Sequence, residues 1–259
     1  MNQFDQFKTV KVKLDGPICF LQIHRPDDNN TINGALIQEC HQVLDQVEES
    51  CHIVVLQGLP TVFCFGADFR QISQEMAAGG VASQDPQPLY DLWLRLATGP
   101  FISVAQVRGK VNAGGVGFVA ACDIVLADES VVFSLSELLF GLFPACVLPF
   151  LMRRIGHARA HGMTLMTQPV PVQQAKDWGL VDVCEANAEA LLHKQLLRLR
   201  RLGKPAVAHY KRYMNQLSDT LAASRPLALE ANKAIFSDPH NLHKIQRYVD
   251  TGKFPWEGD

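Results

Sequence analysis

Strand-like and helix-like segments alternate along the chain up to about residue 185, and helical patterns alone follow. Short apolar runs typical of buried strands are Ile18–His24, Ile53–Gln57 and Phe101–Val107. Between the first two, Gly34–Glu49 repeats apolar residues at helical spacing. Such alternation predicts an α/β core, with the later helices packed on it or on a neighbouring subunit. Those later helical patterns are Ala188–Leu202, Pro205–Leu217 and Thr220–Phe236.

Composition argues against several classes of protein. The 259 residues carry a formal net charge of −2, which is not typical of a dedicated nucleic-acid binder. No apolar run approaches the ~20 residues of a membrane-spanning helix, and MNQFDQFKTV lacks the pattern of a secretory signal. Seven cysteines without a C-x-x-C pair predict reduced thiols in a cytoplasmic protein and no zinc site. The sequence also lacks G-x-G-x-x-G and Walker motifs, so hydride and phosphoryl transfer have no support.

The segment Val107–Phe118, VRGKVNAGGVGF, joins a strand-like run to a small apolar segment typical of a buried helix. Glycine lets the backbone approach a ligand closely, and a helix N-terminus adds positive potential. Such a site suits an anion, or an oxygen that becomes negative during a reaction. The simpler interpretation is a glycine-rich turn that tightens strand–helix packing.

A second glycine-containing segment, Thr61–Arg70 (TVFCFGADFR), also follows a buried strand-like run. Two backbone N–H groups, one from each segment, would together hold a carbonyl oxygen. Such an oxyanion hole stabilises an enolate formed from a thioester. The two segments therefore indicate enolate chemistry, with the turn interpretation left open.

Glu137 stands in the long apolar segment VVFSLSELLFGLFPA, and no other charged residue lies between Glu129 and Arg153. A carboxylate in such surroundings has a raised pKa, which suits proton transfer near neutral pH. Glu137 is therefore the candidate general acid or base. The alternative is a helix-capping role just after Ser134 and Ser136.

Other polar segments allow two interpretations each. The small and polar residues of Gln71–Pro88 predict a mobile loop. The basic run Lys194–Lys204 fits a solvated helix face or a docking surface for an acidic partner. His24 and Arg25 fit a phosphate contact or a solvated loop, and Asp68 fits the cap of a turn.

The strings FCFGADF, GKVNAGG and FSLSELLFGLFPA, at these spacings, resemble the crotonase (enoyl-CoA hydratase/isomerase) superfamily. With LYDLW, PACVLPFL and RYV-TG-FPW, they resemble in particular the PksH-like dehydratases of polyketide β-branching cassettes. The resemblance covers essentially the whole chain. It implies an α/β spiral of ββα units, the ClpP/crotonase-like fold, at residues 1–187. It also implies a helical trimerisation region at residues 188–259, and assembly as a homotrimer or as a hexamer of two trimers.

The resemblance also assigns site residues by motif position. It places the two oxyanion-hole amides at Ala67, in FGAD, and at Gly114, in NAGG, and the second of two hydratase glutamates at Glu137. The position of the first hydratase glutamate is Gly117 here, so one carboxyl must perform both proton transfers or the substrate must help. The neighbouring residues expected to bind substrate are Cys64, Gly66, Asp68 and Gly115.

The activity implied by the resemblance is removal of water from a 3-hydroxy-3-methylglutaryl group carried as a thioester on an acyl carrier protein. The product is a 3-methylglutaconyl thioester, and neither a metal nor a redox cofactor is implied. Alternatives are the sister decarboxylase, a general enoyl-CoA hydratase and a silent scaffold that only binds the carrier. Glu137 favours dehydration over decarboxylation, which needs no carboxylate base. Candidate cations for the distal carboxylate are Arg70, Lys110, His209 and Lys211.

Overall fold

The computed structural model describes residues 3–77 and 85–257, in which the chain forms ten strands and eleven α-helices. The strands are β1 (Val10–Asp15), β2 (Ile18–Ile23), β3 (Ile53–Gln57), β4 (Val62–Cys64), β5 (Ile102–Val107), β6 (Lys110–Asn112), β7 (Ile124–Ala127), β8 (Val132–Ser134), β9 (Val170–Pro171) and β10 (Val183–Cys184). The helices are α1 (Gly34–Val47), α2 (Phe69–Ala77), α3 (Gln87–Thr98), α4 (Gly114–Ala121), α5 (Leu148–Ile155), α6 (His157–Met166), α7 (Val172–Asp177), α8 (Ala188–Leu199), α9 (Lys204–Leu217), α10 (Thr220–Ser237) and α11 (Pro239–Thr251).

Two sheets form the framework. The larger has the order β1-β2-β3-β5-β7-β10, with β1 antiparallel to β2 and the other neighbours parallel. The smaller has the order β4-β6-β8-β9, and its first three strands are parallel. The carboxyl ends of parallel strands meet at one edge, where ligands commonly bind. The predicted α/β core is confirmed.

The larger sheet is buried on both faces. Val54 and Leu56 of β3 belong to the main apolar core, which includes residues of α1, α3 and α4. Ile53 and Val55 point the other way, into a second core formed with α8 and α9. Burial on both faces explains why this strand is a continuous apolar run rather than an alternating one.

The C-terminal helices fold back over the same chain. α10 packs on α3 and α5, and α11 packs on α2 and on a 3-10 helix, Glu137–Phe140. The helices predicted after residue 187 are present, and a further helix of thirteen residues, α11, follows them. The trimerisation role of residues 188–259 stays a prediction. No helix in the described part of the chain is both long and apolar enough to span a bilayer.

The loop predicted over Gln71–Pro88 is wrong at both ends. α2 extends through residue 77, and α3 begins at Gln87, while residues 78–84 lie outside the described residues. The N-terminus of α2 is capped by Asp68, whose carboxylate accepts a hydrogen bond from the Gln71 N–H at 3.1 Å. Ile72 is buried in an apolar cluster with residues of α11. Packing that is remote in sequence therefore stabilises a helix that its composition does not predict.

Candidate active site

A cavity of about 600 Å³ lies beneath α2 and α11, at the ends of β4, β6 and β8. Ala67, Gly114 and Glu137 all line it, so the three main residues predicted from the sequence come together. Asp68, predicted to bind substrate, also lines it. A space of this size is typical of a small-molecule site.

The Ala67 N–H is directed away from its neighbouring strand segment. Ile32 and Ala67 form a parallel bridge in which the Ile32 N–H donates to the Gly66 carbonyl at 2.7 Å. The Asp68 N–H in turn donates to the Ile32 carbonyl at 3.2 Å. In this pattern the bridging residue's own N–H points to the opposite side. Within the described residues it donates no hydrogen bond, and Ala67 lines the cavity.

Gly114 is the first residue of α4, so its N–H has no carbonyl partner within the helix. The preceding Ala113 has a φ of 50° and is held by a 2.9 Å hydrogen bond from its N–H to the Ser134 carbonyl. A Cβ built on Gly66, whose φ is +90°, would lie 3.4 Å from the Gly114 nitrogen. The two glycine segments are therefore adjacent, and two amides without hydrogen-bond partners among the described residues line one cavity.

Glu137 begins the 3-10 helix, and its Oε2 is buried without a hydrogen-bond partner among the described residues. Burial raises the pKa of the carboxyl to about 7, against a smaller lowering by its own backbone N–H. The capping alternative required Ser134 and Ser136, but both hydroxyls hydrogen-bond Asn112, at 2.8 and 3.1 Å. A carboxyl of this pKa can both take and return a proton near neutral pH.

Asn112, Ser134 and Ser136 form a polar cluster on the cavity wall that the sequence analysis did not identify. Asn112 and Ser134 are register partners at the ends of the parallel strands β6 and β8. The signal in the sequence was a polar residue at the end of each of two strand-like runs. Their adjacency depends on sheet order, which a single sequence does not give.

Three of the residues expected to contact substrate lie behind the cavity wall instead. Gly115 packs on Cys64, since a Cβ at Gly115 would lie 2.3 Å from the Cys64 carbonyl oxygen. Burial raises the pKa of the Cys64 thiol to about 12, so the thiol stays protonated. The Gly66 carbonyl accepts the hydrogen bond from the Ile32 N–H in the parallel bridge. These residues shape the two amide-bearing segments, and their direct contact with substrate stays a prediction.

The Asp68 carboxylate is already engaged in the protein. Burial alone would raise its pKa, but hydrogen bonds from the Gln71 N–H and from Arg25 outweigh burial and hold the pKa below its usual value. Arg25 lies 2.9 Å from Asp68 and 2.8 Å from Asp28. Arg25 therefore fixes the loop before α1. This role differs from both sequence-based interpretations, a phosphate contact and a solvated loop residue.

Of the four candidate cations for a substrate carboxylate, only Arg70 lines the cavity among the described residues. It forms no ion pair with any other described residue. Lys211 is wrong as a candidate because it is buried on α9, 2.6 Å from Asp123 and 2.8 Å from the Phe101 carbonyl. Lys110 and His209 are exposed and do not line the cavity.

The basic run Lys194–Lys204 extends from α8 to the first residue of α9. These helices cover the face of the larger sheet opposite to α1 and α4. Lys194 lies 3.5 Å from Glu185, and Arg200 pairs with Asp15. No residue of this run lines the cavity. These contacts are those of a solvated helix face, the simpler of the two interpretations.

Comparison with known proteins agrees with this geometry. The family model for enoyl-CoA hydratase/isomerase matches residues 14–259. The bacillaene synthase dehydratase PksH of Bacillus subtilis (strain 168) is 56% identical over 97% of both chains, and 2,3-dehydroadipyl-CoA hydratase of Escherichia coli (strain K12) is 29% identical over 83% of this chain and 76% of its own. The crystal structure of PksH from Bacillus subtilis superposes with a TM-score of 0.95, covering 96% of this chain and 100% of that one.

These matches confirm the fold predicted from the sequence motifs, and they confirm a hydro-lyase activity. The relationship extends over the α/β core and the C-terminal helices alike. The chain belongs to the enoyl-CoA hydratase/isomerase family, the crotonase superfamily.

Proposed function

We propose that the protein removes water from a 3-hydroxy-3-methylglutaryl thioester on an acyl carrier protein, giving the 3-methylglutaconyl thioester. The observation that carries the proposal is Glu137, a buried carboxyl with a pKa of about 7 whose Oε2 has no hydrogen-bond partner among the described residues, in the same cavity as the Ala67 and Gly114 amides. The 56% identity to the bacillaene synthase dehydratase PksH, whose crystal structure is described as that of a putative polyketide biosynthesis enoyl-CoA hydratase, supports the choice of pathway.

The chemistry follows from the positions of three groups. The N–H groups of Ala67 and Gly114 hold the thioester oxygen and stabilise the enolate as it forms. The Glu137 carboxylate takes the proton from C2. The electron pair of the enolate then forms the C2–C3 double bond, the C3–O bond breaks, and Glu137 returns its proton to the departing hydroxyl, which leaves as water. The formal changes of oxidation state at C2 and C3 cancel, so we propose no redox cofactor. The two amides carry the enolate charge and Glu137 carries the proton, so we propose no metal.

Arg70 is the group that we assign to the distal carboxylate of the substrate. It lines the cavity and has no ion pair among the described residues, so its guanidinium is available for a two-point contact with a carboxylate. Among the acidic residues that line the cavity, Asp28 pairs with Arg25 and Asp85 with Lys233, whereas Asp27 has no ion pair among the described residues and would repel a substrate carboxylate on its side of the rim. A cation at Arg70 therefore orients the acyl chain as well as binding it.

Exposed apolar side chains support the proposed assembly into a homotrimer or a hexamer. On α9, Tyr210, Tyr213, Met214 and Leu217 are all largely exposed in the single chain. Clusters of this kind mark contact surfaces between subunits. Free cysteines, six of them buried, fit a reducing compartment, and we propose a cytoplasmic location.

The test offers purified protein two pantetheine thioesters and identifies the products by chromatography and mass spectrometry. The proposal predicts loss of one water from the 3-hydroxy-3-methylglutaryl thioester and no loss of carbon dioxide from the 3-methylglutaconyl thioester. Decarboxylation of the second substrate without dehydration of the first would identify the sister decarboxylase. No turnover of either substrate, in pantetheine or carrier-bound form, would indicate a silent scaffold.

A further inference from the structure

The Trp93 side chain is fixed beside the site by two other aromatic rings. It projects from α3 and makes edge-to-face contacts with Phe118 of α4 and Phe150 of α5, at centroid distances of 5.7 and 5.8 Å. The residue is 1% exposed, yet it also lines the cavity. Its ring is therefore held in one orientation, with part of it at the cavity wall.

The indole ring fills the space beside Gly117. A Cβ at Gly117 would lie 2.6 Å from Trp93 Cζ2 and Cη2, and 2.9 Å from Cε2, the carbon bonded to Nε1. A Cβ at Gly114 would lie 3.9 Å from Cζ2 of the same ring. No larger side chain fits at Gly117 while the ring is present. The edge of the indole thus lies along the helix that supplies one of the two amides.

Two residues that line this cavity each carry a buried polar atom, one a donor and one an acceptor, without a partner in the described part of the chain. Among the described residues, the buried side-chain polar atoms without a hydrogen bond are His52 Nε2, Trp93 Nε1 and Glu137 Oε2. Of these, only the atoms of Trp93 and Glu137 belong to residues that line the cavity. A buried donor left unpaired costs about 1–3 kcal/mol, and a buried tryptophan N–H usually has a partner. An oxygen of a bound substrate would be that partner.

We infer that the Trp93 indole N–H donates a hydrogen bond to the C3 hydroxyl oxygen of the bound acyl thioester and assists its departure. The inference rests on the proposed function. Gly114 holds the thioester oxygen on C1, C3 is two carbons away, and the ring lies against this same glycine. An indole N–H donates only and keeps its proton. Glu137 therefore supplies the proton of the departing water, while Trp93 polarises the breaking C3–O bond.

The test removes the N–H and keeps an aromatic ring at position 93. Trp93→Phe should lower kcat for 3-hydroxy-3-methylglutaryl-pantetheine about 10- to 100-fold, the loss expected for one hydrogen bond to a group that gains charge. Exchange of the C2 proton of 3-methylglutaryl-pantetheine in deuterium oxide should stay within about 2-fold of wild type. This probe has no C3 hydroxyl and needs only the two amides and Glu137.

A second replacement guards against loss of packing. β-(3-Benzothienyl)alanine at position 93 keeps the bicyclic shape and replaces the N–H by sulfur, and it should reproduce the Trp93→Phe kinetics. The matched control is Tyr90→Phe, which deletes another buried donor of α3, the hydroxyl that bonds the Leu221 carbonyl at 2.7 Å. Tyr90 does not line the cavity, so this variant should leave both reactions unchanged.

Three outcomes would overturn the inference. The first is dehydration by the benzothienyl variant at the wild-type rate. The second is an equal slowing of dehydration and C2 exchange in the Trp93 variants, which would mean that Trp93 only supports the amides. A wild-type protein that exchanges the C2 proton but never eliminates water would overturn the proposed function, and the inference with it. The first two outcomes leave the proposed function standing.

Discussion

Gly66 lies so close to Ala113 that a Cβ built on it would be 2.7 Å from the Ala113 Cβ. Gly16 also has a positive φ, +56°, but a Cβ there would meet nothing within 4 Å. Gly66→Ala should therefore separate the two amide-bearing segments and lower kcat about 100- to 1,000-fold, the loss typical of one oxyanion donor. Gly16→Ala should lower stability by about 1–2 kcal/mol from backbone strain alone, with kcat unchanged. Thermal unfolding and steady-state kinetics of the two variants check this, and equal kcat values would contradict it.

The pH dependence of stability tests the burial of Glu137. Its folded-state pKa of about 7 is above its ordinary value of 4.5, so between these pH values the unfolded chain releases the proton and the folded chain keeps it. The contribution of Glu137 to the free energy of unfolding should fall as pH rises through this window and level off above pH 7. Glu137→Gln mimics the neutral form. Its free energy of unfolding, relative to that of wild type, should therefore rise between pH 5 and pH 8, by at most about 3 kcal/mol.

Urea unfolding at the two pH values measures this difference. Glu129→Gln is the matched control, because Glu129 is exposed in a nearby turn and should show the same small difference from wild type at both pH values. A pH-independent difference between Glu137→Gln and wild type would mean that the carboxyl has an ordinary pKa.

Arg70 should determine preference for a dicarboxylic substrate. Arg70→Gln should raise KM for 3-hydroxy-3-methylglutaryl-pantetheine about 10-fold or more, the loss of a charge-assisted contact. It should leave KM for 3-hydroxy-3-methylbutyryl-pantetheine, which lacks the distal carboxylate, nearly unchanged. Lys110→Gln removes an exposed cation outside the cavity and should change neither value. An equal effect of Arg70→Gln on both substrates would remove Arg70 from carboxylate recognition.

The Lys211–Asp123 pair should be structural. Lys211→Met leaves Asp123 without its ammonium partner, and we expect a loss of about 3 kcal/mol in the free energy of unfolding. The kcat of the folded variant should be unchanged, because neither residue lines the cavity. Lys110→Met, at an exposed position, should stay within about 0.5 kcal/mol of wild type. A change in KM for the dicarboxylic substrate with Lys211→Met would restore Lys211 as a substrate-binding residue.

Local pattern was enough to predict elements whose stability depends on burial along their own length. β3 matches its predicted bounds because both faces of Ile53–Gln57 are buried, and α1 follows from a single apolar stripe. α2 was missed because its stability depends on the Asp68 cap and on packing against α11. The isolation of Glu137 could be predicted, because the apolar residues around it are its neighbours in the sequence.

The remaining parts of the site depend on contacts between residues far apart in sequence. Lys211 and Asp123 are 88 positions apart, and nothing near either residue marks the pair. The sequence pattern predicts only that Trp93 is a core residue of an amphipathic helix, and the contact between its ring and Gly117 depends on the fold. Sequence motifs therefore locate the amides and the carboxyl, whereas the groups that surround a substrate emerge from sheet order and helix packing.

The most direct test follows the intact mass of an acyl carrier protein loaded with the 3-hydroxy-3-methylglutaryl group. With wild-type protein the account predicts loss of one water from the carrier-bound acyl group. With Glu137→Gln, folded as judged by circular dichroism, it predicts a rate about 100- to 10,000-fold lower. An unchanged mass with wild type, loss of carbon dioxide instead of water, or dehydration by Glu137→Gln at the wild-type rate would contradict it.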